Sequence, residues 1–354
     1  MKEISSESKW TGVIYAAFAA ALFGASTPFA KLLLGETAPV MLAALLYLGS
    51  GLGLSLWLLV KRKFGGKSTE ASLKKADAPW LLGAILAGGI IAPIMLLFGL
   101  NLTAASTASL LLNLEGVLTA VLAWFVFKEN FDRRIAFGMA FITVGGVVLS
   151  WAGKPEIGLP WGALLIGGAC LMWAIDNNLT RKVSTVNPLQ IAALKGVFAG
   201  TVNLIIALII GAKFPGGFSI GGAAIVGLLG YGISLSFFVL ALRHIGTART
   251  GAYFSLAPFV GALISIAFLG DALTVSFAVA AALMGIGVYF HLTENHEHEH
   301  AHTPFEHEHR HTHDEHHRHE QPANVAPKEP HSHAHRHDSA KHAHEHFPDI
   351  HHQH

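Results

Sequence analysis

The sequence contains one cysteine, Cys170, and few charged residues. A single thiol excludes an internal disulfide, and it also excludes the zinc and iron–sulfur sites that need clustered thiolates. Charged residues make up 13% of the chain and hydrophobic residues 52%, with a mean hydropathy of +0.48. Because soluble domains carry about 25% charged residues, this composition predicts a membrane protein.

Two further absences narrow the function. The chain has no GxxxxGK[ST] phosphate-binding loop and no polar region large enough for an ATPase domain, which argues against a primary pump within this chain. The charged N-terminal segment, "MKEISSESKW", lacks a small-residue cleavage signature. We therefore interpret the hydrophobic run after it as a retained first span rather than a signal peptide.

Long hydrophobic runs dominate the remaining sequence. A helix needs about 20 mostly apolar residues to cross the hydrocarbon core, because lipid cannot hydrogen-bond an exposed amide or carbonyl group. Ten segments meet this requirement, which predicts an all-α membrane protein. The predicted spans 1 to 10 cover residues 11–34, 39–60, 80–100, 104–127, 134–152, 159–179, 188–211, 220–242, 250–269 and 272–292.

Basic residues are distributed unequally between the loops. If the N-terminus is cytoplasmic, the inner loops carry most of the Lys and Arg residues, and the outer loops keep only Lys31, Lys154 and Lys213. Loops rich in basic residues stay on the cytoplasmic side during insertion. An even number of spans then predicts that both termini face the cytoplasm. We expect the protein to lie in the inner or plasma membrane.

After a short N-terminal segment, 1–10, the spans divide into two similar sets of five, residues 11–152 and 153–292. "LFGASTPFAK", ending at Lys31, is similar to "MWAIDNNLTR", ending at Arg181, at an offset of 150 residues; "SLLLNLEGVLTA" is similar to "GAYFSLAPFVGA" at an offset of 142. Five is odd, so the second set should enter the membrane upside down. Inverted repeats are typical of alternating-access transporters, whose substrate site lies near the membrane midplane.

Span 1 ends in "FGASTPFAK", span 4 contains "TAASTASLLLNLEGVLTAVLAWFVFKE", and span 9 contains "GTARTGAYFSLAPFVGALISIAFLGD". With the span pattern over residues 11–292, these stretches resemble the ten-span EamA-type permeases of the drug/metabolite transporter superfamily. The resemblance implies two five-helix repeats and export of amino acids, metabolites or drugs. That family usually shows an acidic residue or alanine followed by proline in spans 4 and 9; span 9 has Ala257-Pro258, whereas span 4 has Glu115-Gly116 and lacks the proline.

One acidic residue, Glu115, lies near the middle of span 4. A charge at that depth costs about 3 kcal/mol to insert, so its side chain should face protein or water. We weigh proton exchange or binding of a substrate amine against a structural hydrogen bond between helices. On a continuous helix Thr119 shares the face of Glu115, whereas Asn113 lies about 200° away.

Spans 6 and 7 contain opposite charges, Asp176 and Lys195. Both lie roughly 8–10 Å inside the same membrane boundary, so they can form an ion pair. Such a pair either gates the pathway or only neutralises two buried charges and fixes the helix register. The neighbouring amides of Asn177 and Asn178 would add hydrogen-bond donors and acceptors to a polar pathway.

Aromatic and small residues in the spans give weaker signals. Trp173 and Tyr253 could form the wall of an amphipathic pocket. The run Gly196–Gly200, "GVFAG", is typical of a seam where two helices pack closely. The candidate pathway or gate residues are therefore Glu115, Asp176, Lys195, Asn177, Asn178, Asn113, Thr119, Trp173 and Tyr253.

The C-terminal tail, residues 293–354, differs from the rest of the chain. Residues 1–295 hold 19 Lys and Arg against 12 Asp and Glu, whereas residues 296–354 hold 5 against 11. So polar a segment cannot bury enough surface to offset the entropy of ordering it, which predicts a disordered tail. Of the 23 histidines, only His244 and His291 precede it.

Imidazole is a common ligand for divalent Zn, Ni, Co and Cu, and the repeated His-x-His pattern places many imidazoles within reach of one ion. The tail is therefore expected to bind such ions without strong selectivity. The candidate ligands are His296, His298, His300, His307, His309, His311, His313, His316, His317, His319, His331, His333, His335 and His337.

Two functions stay open at this point. The first is a secondary transporter that exports small organic metabolites such as amino acids or drugs, with the tail as an accessory. The alternative is an exporter of Ni²⁺, Co²⁺ or Zn²⁺ in which the tail delivers or senses the ion. No histidine lies in the middle of a span to receive an ion, which favours the organic substrate.

The same reasoning sets the expected partners. We expect a lipid bilayer and a small-molecule substrate, with metal ions only at the tail. No obligatory cofactor, no nucleic acid and no enzymatic activity are expected. Homodimer formation stays open.

Overall fold

A computed structural model describes most of the chain. The described residues are 6–64, 73–127, 133–151, 160–183 and 187–292, and in the tail 297–301, 305–311, 331–337 and 341–345. Between residues 6 and 292 the described chain forms helices and no strands. The predicted all-α body is therefore confirmed.

The first half, up to residue 151, is a series of helices joined by short turns. Its elements are α1 (Ser6–Leu33), α2 (Pro39–Phe64), a 3₁₀ turn (Lys75–Asp77), α3 (Ala78–Ala84), a π-helical segment π1 (Ile85–Ile91), α4 (Ala92–Asn101), α5 (Ala105–Leu111), α6 (Leu114–Phe127) and α7 (Arg133–Trp151).

The second half repeats this order. Its elements are α8 (Trp161–Arg181), α9 (Pro188–Ile209), α10 (Gly217–Gly227), a π-helical segment π2 (Leu228–Ile233), α11 (Ser234–Phe254), α12 (Ala257–Leu269) and α13 (Val275–Leu292). Glycines with positive φ, Gly211 and Gly270, follow α9 and α12, a conformation that glycine adopts without strain.

Each predicted span coincides with one helix or with consecutive helical segments. Among the described residues, six stretches are long and apolar enough to cross a membrane: Trp10–Leu33, Pro39–Phe64, Lys75–Asn101, Ala105–Leu122, Leu189–Ile209 and Gly217–Ala241. Shorter apolar helices, Ala136–Ser150, Ala257–Leu269 and Val275–Phe290, lie at spans 5, 9 and 10. Helix α8 lies at span 6. The count of ten membrane crossings stays a prediction.

Two irregularities recur in both halves at one constant offset. The π-helical segments of spans 3 and 8 begin at residues 85 and 228, 143 residues apart. The helix of span 4 is interrupted between Leu111 and Leu114, and that of span 9 between Phe254 and Ala257, again 143 residues apart. A π-helix is rare and marks a local departure from regular geometry. Its recurrence supports a repeat that residue identity alone shows only weakly.

Helix packing follows the same relation. Helix α1 packs on π2, α11 and α12, and its counterpart α8 packs on π1, α4 and α6. Three further large interfaces join equivalent spans: α2 with α9, α5 with α12, and α7 with α13; α2 also packs on α10 and π2, and α9 packs on π1. Much of the packing of one half therefore has a counterpart in the other, which supports a structural repeat.

The interface between α2 and α9 is closely packed through glycine. A Cβ added to Gly51 would overlap the backbone of Gly196 and Val197, and one added to Gly200 would overlap Leu48. Small residues let helix backbones approach each other where lipid provides no hydrophobic driving force. The predicted packing seam at Gly196–Gly200 is confirmed.

Because the structure describes only residues 297–301, 305–311, 331–337 and 341–345 of the tail, its predicted disorder stays a prediction. These stretches form four strands, β1 (Glu297–Ala301), β2 (Phe305–His311), β3 (His331–His337) and β4 (Lys341–Glu345), and β1 pairs with β4 and β2 with β3 in antiparallel ladders. The physical reason for the strands is the spacing of the histidines. His-x-His alternates with the two-residue period of a strand, and backbone pairing offsets part of the cost of ordering.

Candidate functional site

The opposite charges of spans 6 and 7 form an ion pair. Lys195 Nζ lies 2.6 Å from both Asp176 Oδ1 and Oδ2, and the Thr180 hydroxyl donates to Asp176 Oδ1 at 2.9 Å. Both side chains are largely buried, with 18% of Lys195 and 8% of Asp176 exposed. The pairing that their matching depths permit is confirmed, and each charge is neutralised inside the helix bundle.

The ion pair packs on π1. A Cβ on Gly88 would occupy the position of the Asp176 carboxylate, so only glycine leaves room for that side chain. The Gly88 carbonyl accepts hydrogen bonds from Tyr47 Oη at 2.7 Å and from Trp173 Nε1 at 3.0 Å. In π geometry its helical donor would be residue 93, and Pro93 has no N–H. Side chains from spans 2 and 6 therefore replace the missing backbone bond.

This replacement predicts a strong coupling between Tyr47 and Trp173. Changing either residue alone to phenylalanine leaves Gly88 one hydrogen bond, so each single variant should lose about 1 kcal/mol of stability beyond any packing loss. The double variant leaves a buried carbonyl without a donor and should lose about 1–2 kcal/mol more than the sum. Thermal unfolding in detergent compares the stability of the unmodified protein, the two single variants and the double variant. Additive losses in the double variant would contradict this account of Gly88.

Glu115 interacts with span 6 through Asn177. Asn177 Nδ2 donates to Glu115 Oε1 at 2.9 Å and to Thr119 Oγ1 at 3.4 Å, which confirms that Glu115 and Thr119 share a face. Asn178 Nδ2 reaches the Thr119 carbonyl at 3.3 Å and the Ala174 carbonyl at 2.8 Å. Both asparagines thus tie span 6 to span 4.

A cavity of about 190 Å³ lies between spans 1, 4, 5, 9 and 10. Both helix interruptions contribute to its wall, so the site combines equivalent positions from the two halves. Its lining residues are Phe23, Leu112, Asn113, Glu115, Gly116, Ile142, Phe254, Ser255, Ala257, Pro258 and Val288.

The structure corrects the expected position of Asn113. A continuous helix would place Asn113 and Glu115 on different faces, but both line the cavity. The reason is the interruption at residues 112 and 113, which resets the rotation between them. Span 4 is interrupted there although it lacks the proline that span 9 has at Pro258.

Of the two predicted aromatic wall residues, neither lines the cavity. Tyr253 packs with Ala16 and Ala241, and its neighbour Phe254 lines the cavity instead. Trp173 is buried against Gly88. No sequence signal singled out Phe23 or Phe254, because phenylalanine is common in spans and a one-residue shift changes the helix face.

Aromatic rings connect the cavity to the surroundings of the ion pair. Phe254 and Phe23 lie 5.2 Å apart between ring centroids, Phe23 and Tyr231 6.0 Å, and Tyr231 and Tyr47 5.7 Å. Tyr47 then reaches Gly88, on which Asp176 packs. The two polar groups are therefore parts of one continuous packed region.

At one end of the bundle, two charges hold the turn between α4 and α5. Lys31 Nζ donates to the carbonyls of Leu100 at 2.6 Å and Thr103 at 3.0 Å, and the Ser106 amide donates to Asp271 Oδ2 at 2.8 Å. A cation at a helix C-terminus and a carboxylate at a helix N-terminus satisfy unpaired backbone groups. These contacts close that end between spans 1, 3, 4 and 9.

Metal binding by the tail stays a prediction. Among the side chains that the structure describes, no group of three or more His, Cys, Asp or Glu is placed to hold a metal ion. The structure gives backbone positions for the strand histidines. The predicted ligands His296, His313, His316, His317 and His319 lie outside the described residues.

Several curated proteins that are similar to this chain are transporters. An uncharacterized transporter of Methanothermobacter thermautotrophicus is 29% identical over 294 residues, which cover 78% of this chain and 85% of the relative. The uncharacterized transporter YyaM of Bacillus subtilis is 26% identical, with 75% and 88% covered. The uncharacterized inner membrane transporter YedA of Escherichia coli is 24% identical, with 67% and 76% covered.

A solved structure and a family profile agree with these relatives. One crystal structure matches with a TM-score of 0.59 and 18% identity, covering 80% of this chain and 95% of the other, which shows a shared fold. The profile of the EamA-like transporter family matches residues 10–151 and 160–293, one stretch in each half of the body. The relatives are transporters rather than enzymes, and the chain belongs to the EamA-like transporter family, as a multi-pass membrane transporter.

Proposed function

We propose that the protein is a secondary transporter that exports small organic metabolites, such as amino acids or drugs, across the inner or plasma membrane. Its two five-span halves form inverted repeats, and both termini face the cytoplasm. Glu115 takes part in the pathway itself, and the Asp176–Lys195 pair lies in the pathway or its gate.

The position of Glu115 carries this proposal. Its carboxylate lines a cavity whose wall includes the helix interruptions of both halves. An ionisable side chain inside a membrane bundle is costly and is retained mainly where it serves transport. Broken helices at the repeat interface are where transporters of inverted-repeat architecture bind substrate.

The closed end at Lys31 fits a transporter with access from the opposite side. Lys31 and Asp271 tie together the ends of spans 1, 3, 4 and 9. Their counterparts in the repeat are Arg181 and Glu129, whose side chains lie outside the described part of the chain. Alternating access would require the Lys31 contacts to break when the Arg181 end closes.

Narrowing the cavity tests whether substrate passes through it. Gly116 lines the cavity, and a Cβ there would meet no other atom within 4 Å, so Gly116→Leu is expected to fold and to reduce the cavity volume. We expect substrate flux to fall at least about tenfold, because a leucine fills most of the space needed by a small ligand. The measurement is flux in membrane vesicles, with a compound identified by growth of expressing cells on a panel of amino-acid and drug analogues.

The matched control is Gly167→Leu in α8. A Cβ on Gly167 would also meet no atom within 4 Å beyond the backbone of its own helix, but Gly167 does not line the cavity. It should insert and transport like the unmodified protein. Equal flux in both variants would exclude this cavity as the pathway.

Metal export is the second candidate, and one observation favours it. The register of the tail ladders sets histidine opposite histidine at five positions: His298 and His344, His300 and His342, His307 and His335, His309 and His333, and His311 and His331. Opposed residues in an antiparallel pair are close enough for both side chains to bind one ion. The tail therefore suits loading of Ni²⁺, Co²⁺ or Zn²⁺ at the cytoplasmic side.

Deleting the tail separates the two candidates. A chain that ends at Glu294 keeps residues 6–292 and should export an organic substrate at the unmodified rate. If the cargo is a metal, the same deletion should remove the metal tolerance that the full chain confers, with unchanged membrane insertion. Growth on organic compounds and on metal salts, measured in parallel, decides between them.

A further inference from the structure

Among the described residues that line the cavity, Glu115 is the only charged one. The other lining residues are apolar except Asn113 and Ser255, which are neutral. Asp176 and Lys195 neutralise each other outside the lining. An ionised Glu115 therefore gives this space a net negative charge.

The Glu115 carboxylate is only partly satisfied. Its oxygen Oε1 accepts from the neutral amide of Asn177 at 2.9 Å. Within the described residues Oε2 has no hydrogen-bond partner, and no cation contacts the carboxylate. A carboxylate has about four acceptor sites, and a charged donor is its strongest partner. The cavity beside Glu115 thus suits a ligand that donates hydrogen bonds and carries positive charge.

The cavity wall selects the kind of cation. Hard inorganic cations need about six oxygen ligands, which a wall with one carboxylate, one amide and one hydroxyl side chain does not provide. Phe23 and Phe254, whose ring centroids lie 5.2 Å apart, form an aromatic wall. Pro258, Ile142 and Val288 add apolar surface beside it. An aromatic wall favours a flat apolar body and attracts an attached cation.

The cavity volume limits the size of that body. A cavity of about 150 Å³ holds one benzene molecule, and this one measures about 190 Å³. One ring with a short side chain therefore fits. A compound of several rings would need the cavity to enlarge.

We infer that the cavity binds a small protonated amine, whose ammonium group pairs with Glu115 and whose single-ring or similar apolar body packs against Phe23 and Phe254. This inference rests on the proposed function, because it takes the cavity as the substrate site. It assigns the substrate class: an amine carrying an apolar group, in preference to a neutral or anionic compound of the same shape.

Three compounds that share a phenylethyl group and differ in charge test the preference for a cation. The probe is radiolabelled β-phenylethylamine, and the competitors are its neutral analogue 2-phenylethanol and the anion 3-phenylpropanoate. Equilibrium binding is measured on the purified full-length protein in lipid nanodiscs. We expect the amine to bind about 10- to 100-fold more tightly than the alcohol, as a hydrogen bond to a charged group implies, and the anion to bind more weakly still.

Variants identify the residue that sets the preference. Glu115→Gln keeps the side-chain shape and should bind the amine and the alcohol equally. Glu115→Asp keeps the charge and should retain the preference for the amine. Glu36→Gln removes a carboxylate that accepts from Ser219 outside the cavity, and it should behave like the unmodified protein.

Two results would overturn the inference: no preference for the amine in the unmodified protein, or a preference that persists in Glu115→Gln. Flux of the same compounds into proteoliposomes tests the proposed function separately. Flux without Glu115-dependent amine binding would leave the transporter function standing and exclude the amine site. Glu115-dependent binding without flux of any tested compound would support the amine site and count against transport.

Discussion

Glu115→Gln should remove the pH dependence of transport and reduce proton-driven flux at least about tenfold. A glutamine cannot exchange a proton, and it cannot form a charge-assisted hydrogen bond to a cationic substrate, which is worth about 1.5–3 kcal/mol, or roughly 10- to 100-fold in an equilibrium constant. Glutamine has the same shape, so the contact with Asn177 and the cavity volume should change little. Flux in everted vesicles, measured across a series of imposed pH gradients, gives the result directly.

The control for this experiment is Glu36→Gln, which alters a carboxylate that contacts Ser219 rather than the cavity. Its pH profile should match that of the unmodified protein. A Glu115→Gln variant with normal flux and an unchanged pH profile would exclude proton coupling at this residue. Glu115 would then be a structural group that joins spans 4 and 6.

Separating Asp176 from Lys195 should cause the largest loss of stability. Removing one member of a buried pair leaves an uncompensated charge and costs about 3–5 kcal/mol. Because 18% of Lys195 is exposed, we expect about 3 kcal/mol, the lower end of that range, for Lys195→Met alone. Asp176→Asn should lose a similar amount, because it leaves the lysine unpaired. The measurements are the amount of folded protein after detergent extraction and the unfolding temperature of that protein.

The double variant Asp176→Asn with Lys195→Met should recover most of this loss. It keeps both side-chain sizes and leaves no buried charge, and such replacements are often neutral. The exchange Asp176→Lys with Lys195→Asp also restores the charge balance, but the longer side chain must fit against Gly88. If both double variants are as unstable as the single ones, the two charges do not act as a pair.

Flux through the neutral double variant distinguishes a gate from a structural pair. A pair that only neutralises charge and fixes the helix register can be replaced without loss of transport once the protein is folded. A gate depends on the attraction that forms and breaks during the transport cycle. We therefore expect the folded neutral double variant to transport more slowly, and unchanged flux per folded molecule would assign a structural role.

Charged residues were the part of the site that the sequence revealed most reliably. Glu115, Asp176 and Lys195 stand out because a charge within an apolar span needs a partner or water, and matching depths predicted the ion pair. The helical character of the body could be predicted for the same reason, since lipid imposes length and apolar composition. The buried charges and the apolar spans can both be recognised because each depends on the solvation of individual side chains, which follows from residue type alone.

Features that depend on helix geometry were not predictable in the same way. The interruption at residues 112 and 113 has no proline to mark it, so the faces of Asn113 and Glu115 were calculated for a continuous helix. The hydrogen bonds at Gly88 arise from π geometry, which has no simple sequence signature. Phe254 and Tyr253 differ by one position, and only the actual helix rotation decides which of them meets the cavity.

The ion pair also makes the two halves unequal. The position equivalent to Asp176 in the first half is Ser26, whose hydroxyl donates to the Phe23 carbonyl within its own helix, and predicted span 2 contains no charged residue at all. A transporter whose halves exchange conformations would have two end states of identical free energy only if the halves were identical. Here one end state gains or loses the attraction between two charges, and each 1.4 kcal/mol of that difference changes the ratio of the two populations about tenfold. If the halves exchange conformations in this way, we expect the ion pair to bias which access state the protein occupies at rest.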